Sequence, residues 1–598
     1  MKNKKTAIIS VFDKKNIISF ACFLLDNDYQ ILSSGGTYKY LTENISNSNI
    51  YKIEDYTKFP EILGGRVKTL HPKIYGGILA RTNVETDIEQ LNCHDIYKID
   101  LVIVNLYPFS QVVAKEDHTF EDAIENIDIG GVTLIRAAAK NYVNTTVVIN
   151  PDDYSNYIEL HAKSSLTEYE RKKYAIKAFH YISTYDINIS NYFDGEKEVF
   201  KHYVKKDELK YGCNPHQKDS AIYQEDGVEY PFKILNGKPG YINYIDAIQS
   251  WRLVTELQDN VGMICAASFK HTTPAGVGTS LPLTDKLSEI YGTKGKILNG
   301  TSTAFIRARN ADPMSSFGDF IAISGTVDKE TAEYIKKEVS DGIVAEGYDP
   351  AAIEILKQKK NGNYIILQGD RTSVNSKEFR EVGGIVLSQN SNAEKTTNKY
   401  FDSIPTMEKS IPTWAKIDLI IANTTLKYTP SNSIVYAYQG QVIGVGAGQQ
   451  NRVDCVKIAG HKADVWFLRG YQKAVALQYM FKQGLKRYEK VNATIQYINN
   501  DFTESEYILW LTNFEKNITE MITFISSEES RKYIKDNDGV SLASDAFFPF
   551  RDSIDQCSKR GVKYILQPGG SVADEAVVQA CNDYNITMAM SGVRVFTH

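Results

Sequence analysis

The alternation of strand-like and helix-like segments in roughly the first 200 residues is the feature that most constrains the fold. Residues 16–25 and 132–139 carry apolar side chains at helical spacing. Short apolar runs of strand length lie at residues 6–12 (TAIISVF), 30–33 (QILS), 101–104 (LVIV) and 146–149 (TVVI). Such alternation predicts an α/β fold with a parallel, doubly wound sheet, whose ligand sites lie outside the carboxyl ends of the strands.

A change in composition and apolar periodicity near residue 200 indicates a domain boundary. Residues 194–208 (DGEKEVFKHYVKKDE) are charged and weakly periodic, which is typical of a linker. We therefore expect one domain over residues 1–199 and a second, mixed α and β, over 200–598. Residues 372–400 are polar with little apolar periodicity, and they predict an exposed connection within the second part.

The second part contains a faint internal similarity. Residues 315–320 (SSFGDF) precede a segment ending at 355–367, and residues 544–552 (SDAFFPFRD) precede one ending at 554–566. Both stretches have an S-x-x-F-rich turn, then a helix with a basic end, then an apolar strand. The spacings differ, so the pattern is compatible either with a duplication or with a chance likeness of two helix–strand units.

Charge and cysteine usage exclude several classes of protein. A net charge of −5 over 598 residues is not typical of a nucleic-acid-binding protein, so anionic substrates would have to meet local basic clusters. The seven cysteines form no C-x-x-C pair, which argues against a disulfide framework and a structural zinc site. The apolar run near the N-terminus is too short for a signal segment, and no stretch reaches the ~18 apolar residues of a membrane span. We expect a soluble protein of the cytosol.

Three segments of the first domain have the composition of an anion site. The run 34–37 (SGGT) follows a predicted strand and precedes a helix, as in phosphate-binding turns, although a plain βα turn has the same composition. The run 64–72 (GGRVKTLHP) crowds two cations, a hydroxyl and an imidazole together, and it is either an anion-facing loop or a solvated basic loop. The run 128–131 (DIGG) opens a helix that ends at Lys140, where a cation is ordinary helix-end charge.

Three segments of the second part also suggest chemistry. Lys270 and His271 follow an apolar strand and enter a Pro/Gly turn, where the imidazole could transfer a proton beside a fixed cation, or the pair could be structural. The run 442–448 (VIGVGAG) follows VYAYQGQV, which is typical of a hairpin arm and turn, so we predict no dinucleotide site there. Gln449, Gln450 and Arg452 are instead predicted to be polar ligands to a nucleotide or an anion. The phenylalanines of 544–552 indicate core packing or a flat slot for a heterocycle.

Together the ordered motifs resemble the bifunctional phosphoribosylaminoimidazolecarboxamide (AICAR) formyltransferase/IMP cyclohydrolase family, over essentially the whole chain. The matching motifs are GGRVKTLHP, NLYPF (105–109), DIGGVTLIRAAAKN (128–141), YGCNPHQ (211–217), KHTTPAG (270–276), MSSFGDF (314–320), SDGIVAEGY (340–348), GVGAGQQNRV (444–453), SDAFFPFRD and VRVFTH. The longer central region, including KKNGNY (359–364), is more similar to the eukaryotic-type branch.

This resemblance implies a fold, an activity and partners. It implies an N-terminal cyclohydrolase domain with a methylglyoxal-synthase-like parallel sheet, and a C-terminal transformylase of two cytidine-deaminase-like subdomains, approximately 200–375 and 400–598. The reactions implied are formyl transfer from 10-formyltetrahydrofolate to the 5-amino group of AICAR, giving FAICAR, and then dehydrative closure to IMP. A homodimer with transformylase sites at its interface is also implied, with no catalytic metal; any potassium ion would be structural.

The family's cyclohydrolase residues carry over by motif. Lys140 would transfer a proton, with Lys68 beside the substrate. The nucleotide would contact Ser10, Phe12, Asp13, Lys14, Ser34, Gly35, Gly36, Thr37, Arg66, Val67, Lys68, Thr69, Val104, Asn105, Asp128 and Ile129. The family usually reads S-V-S-D-K where this chain has Phe12, so a side-chain hydroxyl is lost there, whereas a backbone contact would survive.

The transformylase residues carry over in the same way. His271 would be the base that removes a proton from the 5-amino group, Lys270 would stabilise developing charge, and Asn432 would orient the formyl group. AICAR would contact Lys210, Tyr211, His271, Gly318, Asp341, Asn432, Arg452, Phe547 and Arg594. The folate would contact Val453, Phe547, Asp552, Ser571 and Val572. The family's usual arginine is Lys210 here, which keeps the charge but loses the bidentate fork.

Two alternatives stay open at this stage. A catalytically inactive regulatory protein could keep these folds, but it would be expected to have lost Lys270, His271 or Lys140, all of which are present. A single-activity transformylase with an impaired cyclohydrolase half is the second alternative, because Phe12 alters the loop of that half.

Overall fold

A computed structural model describes residues 4–195, 198–225, 228–371, 377–514 and 523–598. The chain divides into two compact units, Met1–His202 and Tyr203–His598. Part of the predicted linker, residues 196–197, lies outside the described residues. The prediction of a linker is wrong for residues 203–208, because Tyr203–Glu208 is a strand paired with Ala221–Glu225. A charged, exposed two-stranded ladder has no apolar alternation, so its sequence is like that of a linker.

The first unit confirms the predicted parallel sheet. Its described strands are β1 (Lys5–Val11), β2 (Tyr29–Ser33), β3 (Ile50–Lys52), β4 (Leu101–Asn105) and β5 (Thr146–Val148), all parallel in the order β3-β2-β1-β4-β5. Its described helices are α1 (Ile17–Asp26), α2 (Gly35–Asn44), α3 (Ile53–Thr57), α4 (Pro72–Leu79), α5 (Glu85–Cys93), α6 (Phe109–Val113), α7 (Phe120–Glu125), α8 (Gly130–Lys140), α9 (Tyr154–Ala162) and α10 (Glu168–Asp194).

The core of this unit explains the apolar runs. Strands β2 and β4 are buried along their whole length, as expected of parallel strands covered on both faces. Helix α1 buries Ile17, Phe20, Ala21 and Leu24, which lie on one face at helical spacing. Because parallel strands end at the same edge, the polar segments after β1, β2 and β4 meet there.

The second unit is built on one mixed sheet. Its described strands are β6 (Tyr203–Glu208), β7 (Ala221–Glu225), β8 (Phe232–Asn236), β9 (Cys265–Lys270), β10 (Thr273–Thr279), β11 (Asp319–Val327), β12 (Ser340–Tyr348), β13 (Ile365–Gly369), β14 (Lys377–Val382), β15 (Ile385–Asn390), β16 (Ile434–Tyr438), β17 (Gln441–Gly446), β18 (Val540–Ser544), β19 (Val562–Gln567) and β20 (Thr587–Met590). Its described helices are α11 (Tyr241–Val261), α12 (Asp285–Ile290), α13 (Gly300–Ala311), α14 (Lys329–Lys336), α15 (Pro350–Lys357), α16 (Thr413–Leu426), α17 (Arg452–Leu468), α18 (Gln472–Met480), α19 (Arg487–Asn499), α20 (Glu504–Phe514), α21 (Ser527–Lys535), α22 (Asp552–Cys557) and α23 (Asp574–Asp583).

Strand order reveals an internal repeat in this sheet. The order is β20-β19-β18-β16-β17-β10-β9-β11-β12-β13-β8. Starting from the central pair β17 and β10, each half runs outwards through an antiparallel hairpin, an antiparallel neighbour and then parallel strands. The two hairpins join at a single register pair, Gly278 with Gln441. The duplication is therefore present.

The segments that the sequence paired are not equivalent, however. By strand order β11 corresponds to β18, β12 to β19 and β13 to β20. The sequence comparison matched the strand at 365–367 (in β13) with that at 563–566 (in β19), one helix–strand unit out of register. A basic helix end followed by an apolar strand recurs in every such unit, so it cannot fix the register.

Residues 377–390 form the exposed antiparallel hairpin β14–β15 inside the predicted connection, of which residues 372–376 lie outside the described part. The predicted hairpin before VIGVGAG is confirmed as β16–β17. Among the described residues, no helix has the length and apolar character that crossing a membrane requires.

Candidate active sites

A cavity of about 480 Å³ lies in the first unit, at the edge where β1, β2 and β4 end. Its walls come from the loop after β1, the starts of α2 and α8, and the loop before α4. The lining residues are Ser10, Val11, Phe12, Lys14, Ser34, Gly35, Gly36, Thr37, Gly64, Gly65, Arg66, Lys68, Thr69, Asn105, Tyr107, Ile124, Glu125, Ile127, Asp128, Ile129, Gly130 and Gly131. The three anion-type segments of the first domain thus meet at one site.

The N-termini of two helices, α2 and α8, face this cavity. Helix α2 begins at Gly35, whose φ of 51° is in the left-handed region, and α8 begins at Gly130. A Cβ on Gly131 would come within 2.7 Å of the Asp128 carboxylate and of Leu106, so glycine is required there. The positive end of a helix favours an anion such as a phosphate, which supports the predicted role of SGGT.

Two cationic side chains, Lys68 and Arg66, add to the preference of the cavity for anionic ligands. The Lys68 Nζ lies 3.3 Å from Glu61 Oε1, and it would be 3.3 Å from a Cβ on Gly35. Lys68 is therefore placed beside the N-terminus of α2. Arg66 forms an ion pair with Glu125, and both side chains are more than half exposed, so a ligand anion could compete for this guanidinium.

The loop after β1 is fixed by Asn105. Its Oδ1 accepts the backbone N–H of Phe12 at 2.6 Å and of Asp13 at 2.8 Å, and its Nδ2 donates to the Asp13 carbonyl at 3.0 Å. The N–H of Phe12 is thus already used within the protein. The half-exposed Phe12 ring lines the cavity and meets Tyr107 edge to face, with centroids 5.8 Å apart. An aromatic wall replaces the hydroxyl that the family pattern predicts.

Asp128 is the carboxylate at the start of α8. Burial raises the pKa of this carboxyl, while the Gly131 N–H, which donates to Oδ1 at 2.6 Å, and the charge of Lys68 act in the opposite direction. A carboxyl with a raised pKa next to a lysine can exchange protons nearer to neutral pH than an exposed one. Asp128 is the strongest acid–base candidate among the residues that line the cavity.

Most, but not all, of the predicted cyclohydrolase residues line the cavity. Val104 is buried in β4, Asp13 and Val67 do not line the cavity, and Lys140 is exposed at the far end of α8. From Gly130 to Lys140 that helix rises about 15 Å. Tyr107 and Glu125 line the cavity but were not predicted, although Tyr107 lies within the quoted motif NLYPF.

In the second unit, Lys270 and His271 lie at the tip of the β9–β10 hairpin. The Lys270 Nζ donates to the carbonyls of Phe317 at 2.8 Å and Gly318 at 3.1 Å. Gly318 has φ 75°, and a Cβ there would lie 2.9 Å from this Nζ. His271 is exposed. The hairpin therefore presents a lysine ammonium, held by two carbonyls, next to an exposed imidazole.

Asp341, a predicted AICAR ligand, lies at the start of the neighbouring strand β12. The Gly318 N–H donates to the Val339 carbonyl at 2.9 Å, which joins the β11 and β12 edges of this cluster. Lys360 Nζ lies 2.6 Å from Asp341 Oδ1. Lys270, His271, Gly318 and Asp341 thus share one end of the sheet.

Asp246 supports the hairpin tip and was not predicted. Its Oδ1 accepts the Thr272 N–H at 2.7 Å, and His271 and Thr272 both have positive φ, 53° and 61°. Burial raises the pKa of Asp246, while His271 and Lys270 lower it through their charges. The sequence gives no signal for Asp246, because it lies in an ordinary helix, α11.

The internal repeat contains a counterpart of Asp246. Asp418 is the sixth residue of α16, as Asp246 is of α11, and its oxygens accept the N–H groups of Gln439 at 2.9 Å and Gly440 at 2.7 Å. Gln439 and Gly440 form the tip of the β16–β17 hairpin, also with positive φ. An aspartate at the equivalent helix position therefore stabilises each of the two hairpin turns, but only the β9–β10 turn carries a lysine and a histidine.

A second cluster surrounds Asn432, before β16. Arg452 forms an ion pair with the fully buried Asp545, and its Nη2 donates to Asn432 Oδ1 at 2.7 Å. Asn432 Nδ2 donates to the Gln449 carbonyl at 2.8 Å. The amide of Asn432 is therefore held in a single orientation. Within the described residues, no hydrogen bond or ion pair joins this cluster to the Lys270–His271 cluster.

The remaining predicted transformylase residues lie outside these clusters. Lys210 is exposed, and Arg594 is exposed with its guanidinium 4.6 Å from the Phe596 ring centroid. Tyr211 and Val453 are half-buried. The predicted folate-side residues Phe547, Asp552 and Val572 are exposed and Ser571 is half-buried. In the described part of the chain, no group of His, Cys, Asp and Glu side chains has the arrangement of a metal site.

The chain is similar to known proteins over its whole length. The family model described as AICARFT/IMPCHase bienzyme matches residues 138–462, and the model described as MGS-like domain matches residues 16–133. The bifunctional purine biosynthesis protein PurH of Clostridium perfringens strain SM101 is 35% identical over 606 residues and covers 100% of both chains. Its namesake from Clostridium botulinum strain Kyoto is 35% identical over 603 residues, covering 99% of this chain and 100% of the relative. The crystal structure of ForH is 32% identical, covers 33% of this chain and 100% of its own, and has a TM-score of 0.29.

Proposed function

The chain belongs to the AICARFT/IMPCHase bienzyme family, and from this premise we propose how its two units divide two consecutive reactions. The protein is a bifunctional enzyme of de novo purine biosynthesis: it transfers a formyl group to AICAR, and it closes the resulting FAICAR to IMP with loss of water. The family's transformylases use 10-formyltetrahydrofolate as co-substrate. We assign cyclisation to Met1–His202 and formyl transfer to Tyr203–His598.

The observation that best supports cyclisation in this unit is the cavity, where the N-termini of α2 and α8 lie together with the side chains of Lys68 and Asp128. The phosphate of FAICAR binds the N–H groups at Ser34–Thr37. The carboxamide nitrogen then attacks the formyl carbon, and Lys68 stabilises negative charge on the formyl oxygen. Asp128 transfers a proton to or from the reacting groups, and the formyl oxygen leaves as water after proton transfer.

The predicted proton transfer by Lys140 stays a prediction, because the lysine lies at the other end of α8 from the cavity. The choice between Lys140 and the cavity residues is open to mutagenesis. The presence of Phe12 is not in itself a reason to expect loss of cyclohydrolase activity. Its ring forms a wall of the cavity, and its backbone N–H fixes the loop by donating to Asn105.

For formyl transfer, His271 accepts a proton from the 5-amino group of AICAR as the nitrogen attacks the formyl carbon, and tetrahydrofolate leaves. Lys270, held by the Phe317 and Gly318 carbonyls, stabilises charge on the formyl oxygen. Asn432 orients the formyl group, and Arg452 fixes its amide. Lys210, Tyr211, Asp341, Phe547 and Arg594 bind AICAR. The folate binds Val453, Phe547, Asp552, Ser571 and Val572.

We propose that a homodimer brings the two transformylase clusters together. The support is that His271 and Asn432 act on one formyl group, yet no contact between their clusters is found in the described residues of one chain. Mixing inactive His271→Ala and Asn432→Ala proteins tests this. Exchange would restore about a quarter of the wild-type rate, since about half of the dimers are mixed and each has one intact site. No recovery after subunit exchange would exclude shared sites.

Two further assignments complete the proposal. We place the enzyme in the cytosol, supported by seven cysteines that are all unpaired in the structure. Any potassium ion is assigned a structural role, with no catalytic metal. The substrates are small molecules, and neither nucleic acid nor a membrane is a partner.

The test of the division uses the purified full chain with 10-formyltetrahydrofolate and AICAR. Tetrahydrofolate and IMP should both form, and His271→Ala should abolish the first while leaving closure of supplied FAICAR intact. Formation of neither product would refute the function. Formation of tetrahydrofolate without IMP would support the single-activity alternative.

A further inference from the structure

A second cavity, of about 440 Å³, lies in the transformylase unit away from the residues assigned above. Its volume falls in the range of small-molecule sites. The lining residues are Ile290, Tyr291, Gly292, Asn310, Arg469, Gln478, Leu485, Arg487, Lys490, Val491 and Thr494. Three of them are cations and none is a carboxylate, so the lining attracts anions.

Arg469 is the least ordinary of these cations, because it is 5% exposed and forms no ion pair among the described residues. Its Nη1 donates to the Asn310 carbonyl at 2.6 Å and its Nη2 to Asn310 Oδ1 at 3.1 Å. A guanidinium has five N–H donors, so these two bonds leave three without a protein acceptor in the described residues. Burial lowers the pKa of Arg469. Buried charges are normally paired, so an anion in the cavity would remove this deficit.

Arg307 provides an internal comparison, because it is also buried and also lies next to Tyr291. Its guanidinium donates to the carbonyls of Leu281, Pro282 and Gln439 and to the side chain of Gln441, at 2.8–3.0 Å. The protein can therefore satisfy the N–H donors of a buried arginine with its own oxygens. At Arg469, beside the cavity, the described residues supply only the two oxygens of Asn310.

The other two cations lie on α19, three residues apart and hence on the same face of the helix. Arg487 Nε lies 3.0 Å from Glu338 Oε1, which fixes this guanidinium and is not part of the cavity lining. Lys490 forms no ion pair in the described part of the chain, and no carboxylate competes for it inside the cavity. The cavity therefore combines the guanidinium of Arg487, fixed by Glu338, the buried guanidinium of Arg469 and the Lys490 ammonium, which has no ion pair among the described residues.

From this geometry we infer that the cavity is a second anion site, which binds a small phosphate-bearing molecule between Arg469, Arg487 and Lys490. Guanidinium groups match phosphate oxygens in bidentate geometry, and a lysine adds a point charge. Asn310, Gln478 and Thr494 supply further polar groups for such a ligand. This site is additional to the substrate sites, and its existence does not depend on the proposed roles of the catalytic residues.

The test measures pyrophosphate and orthophosphate binding to the full-length protein by calorimetry, and cavity variants separate this site from the substrate sites. Lys490→Gln removes the free ammonium, and Lys486→Gln is its matched control, because Lys486 is exposed at the start of the same helix and outside the lining. Arg487→Gln is a second cavity variant that does not alter the buried Arg469.

We expect saturable binding of pyrophosphate to the wild type, about a 5- to 10-fold weaker affinity in Lys490→Gln and Arg487→Gln, and no change in Lys486→Gln. Equal weakening in Lys490→Gln and Lys486→Gln would overturn the proposal, because it would show nonspecific screening. Pyrophosphate binding of unchanged affinity and stoichiometry in Lys490→Gln and Arg487→Gln would also overturn it. Tighter binding of citrate than of either phosphate would refute the phosphate class.

Discussion

Asp246 offers the sharpest test of how the transformylase hairpin works. Its carboxylate is 6% exposed and accepts the Thr272 N–H at 2.7 Å, at a turn where His271 and Thr272 both have positive φ. A buried hydrogen bond to a charged group contributes about 1.5–3 kcal/mol. Left-handed conformations cost non-glycine residues roughly 1–2 kcal/mol each. The bond and the strain are thus comparable, and losing the bond should let the turn relax and displace His271.

Asp246→Asn keeps a hydrogen-bond acceptor but removes the charge, so the strength of the hydrogen bond to Thr272 should roughly halve. Asp246→Ala removes the hydrogen bond altogether. We therefore expect kcat for formyl transfer to fall about 5- to 10-fold in Asp246→Asn and about 10- to 100-fold in Asp246→Ala. The KM for AICAR should change little, because the Lys270 Nζ keeps its Phe317 and Gly318 acceptors.

The assay follows tetrahydrofolate formation, with closure of supplied FAICAR by the other unit as an internal standard. Asp418→Asn is the matched control, since Asp418 supports the equivalent turn of the repeat, far along the sheet from His271. A merely structural role for Asp246 would make both variants lose formyl transfer in proportion to their loss of thermal stability. That result, or an unchanged kcat in Asp246→Asn, would refute a positioning role.

Three other variants test the remaining assignments. Lys68→Met should slow FAICAR closure by about 100-fold or more, measured at 25 °C by IMP formation, whereas Lys140→Met should slow it much less; equal losses would show that Lys140 reaches the substrate. Asp545→Asn should lower the free energy of unfolding by about 3–5 kcal/mol in urea, because Arg452 is left buried and unpaired. The exposed control Asp454→Asn, which loses Lys457, should change it by about 1 kcal/mol or less, and similar losses would contradict the burial argument. Burial raises the pKa of Asp418 to about 7, so its stabilising contribution is complete below pH about 4 and is lost as the pH rises through 7. Asp418→Asn, which does not titrate, should therefore be less stable than wild type at pH 5. The difference in the free energy of unfolding should narrow by roughly 3 kcal/mol between pH 5 and pH 8 in denaturant titrations, and a constant difference would count against this shift.

Local patterns predicted much of the first unit. Runs such as LVIV and TVVI are strands because parallel strands, covered on both faces, must be apolar throughout. The glycines of SGGT and DIGG predicted the turns at which α2 and α8 begin, and Gly131 leaves no room for a Cβ beside Asp128, three residues before it. These features depend on neighbours in sequence, so a single sequence contains them.

The register of the repeat and the support of the hairpin could not be predicted in the same way. Helix–strand units look alike, so 554–566 matched the wrong partner, and only the strand order showed the equivalence of β13 with β20. Asp246 is distant in sequence from Thr272, and nothing around it in α11 indicates a function. Lys140, conversely, had a strong motif but lies away from the cavity.

By itself, the sequence determined the parallel sheet of the first unit, the basic and glycine-rich composition of its loops and the presence of a Lys–His pair, because composition and spacing encode burial and local turns. Only the tertiary structure decided which of those groups meet. It gathered Ser34–Thr37, Lys68 and Asp128 at one edge and left Lys140 outside. In the second unit it placed Asp246 behind His271 and, among the described residues, gave Arg469 no ion pair. Contacts between residues distant along the chain follow from how strands and helices pack, and no local pattern records that packing.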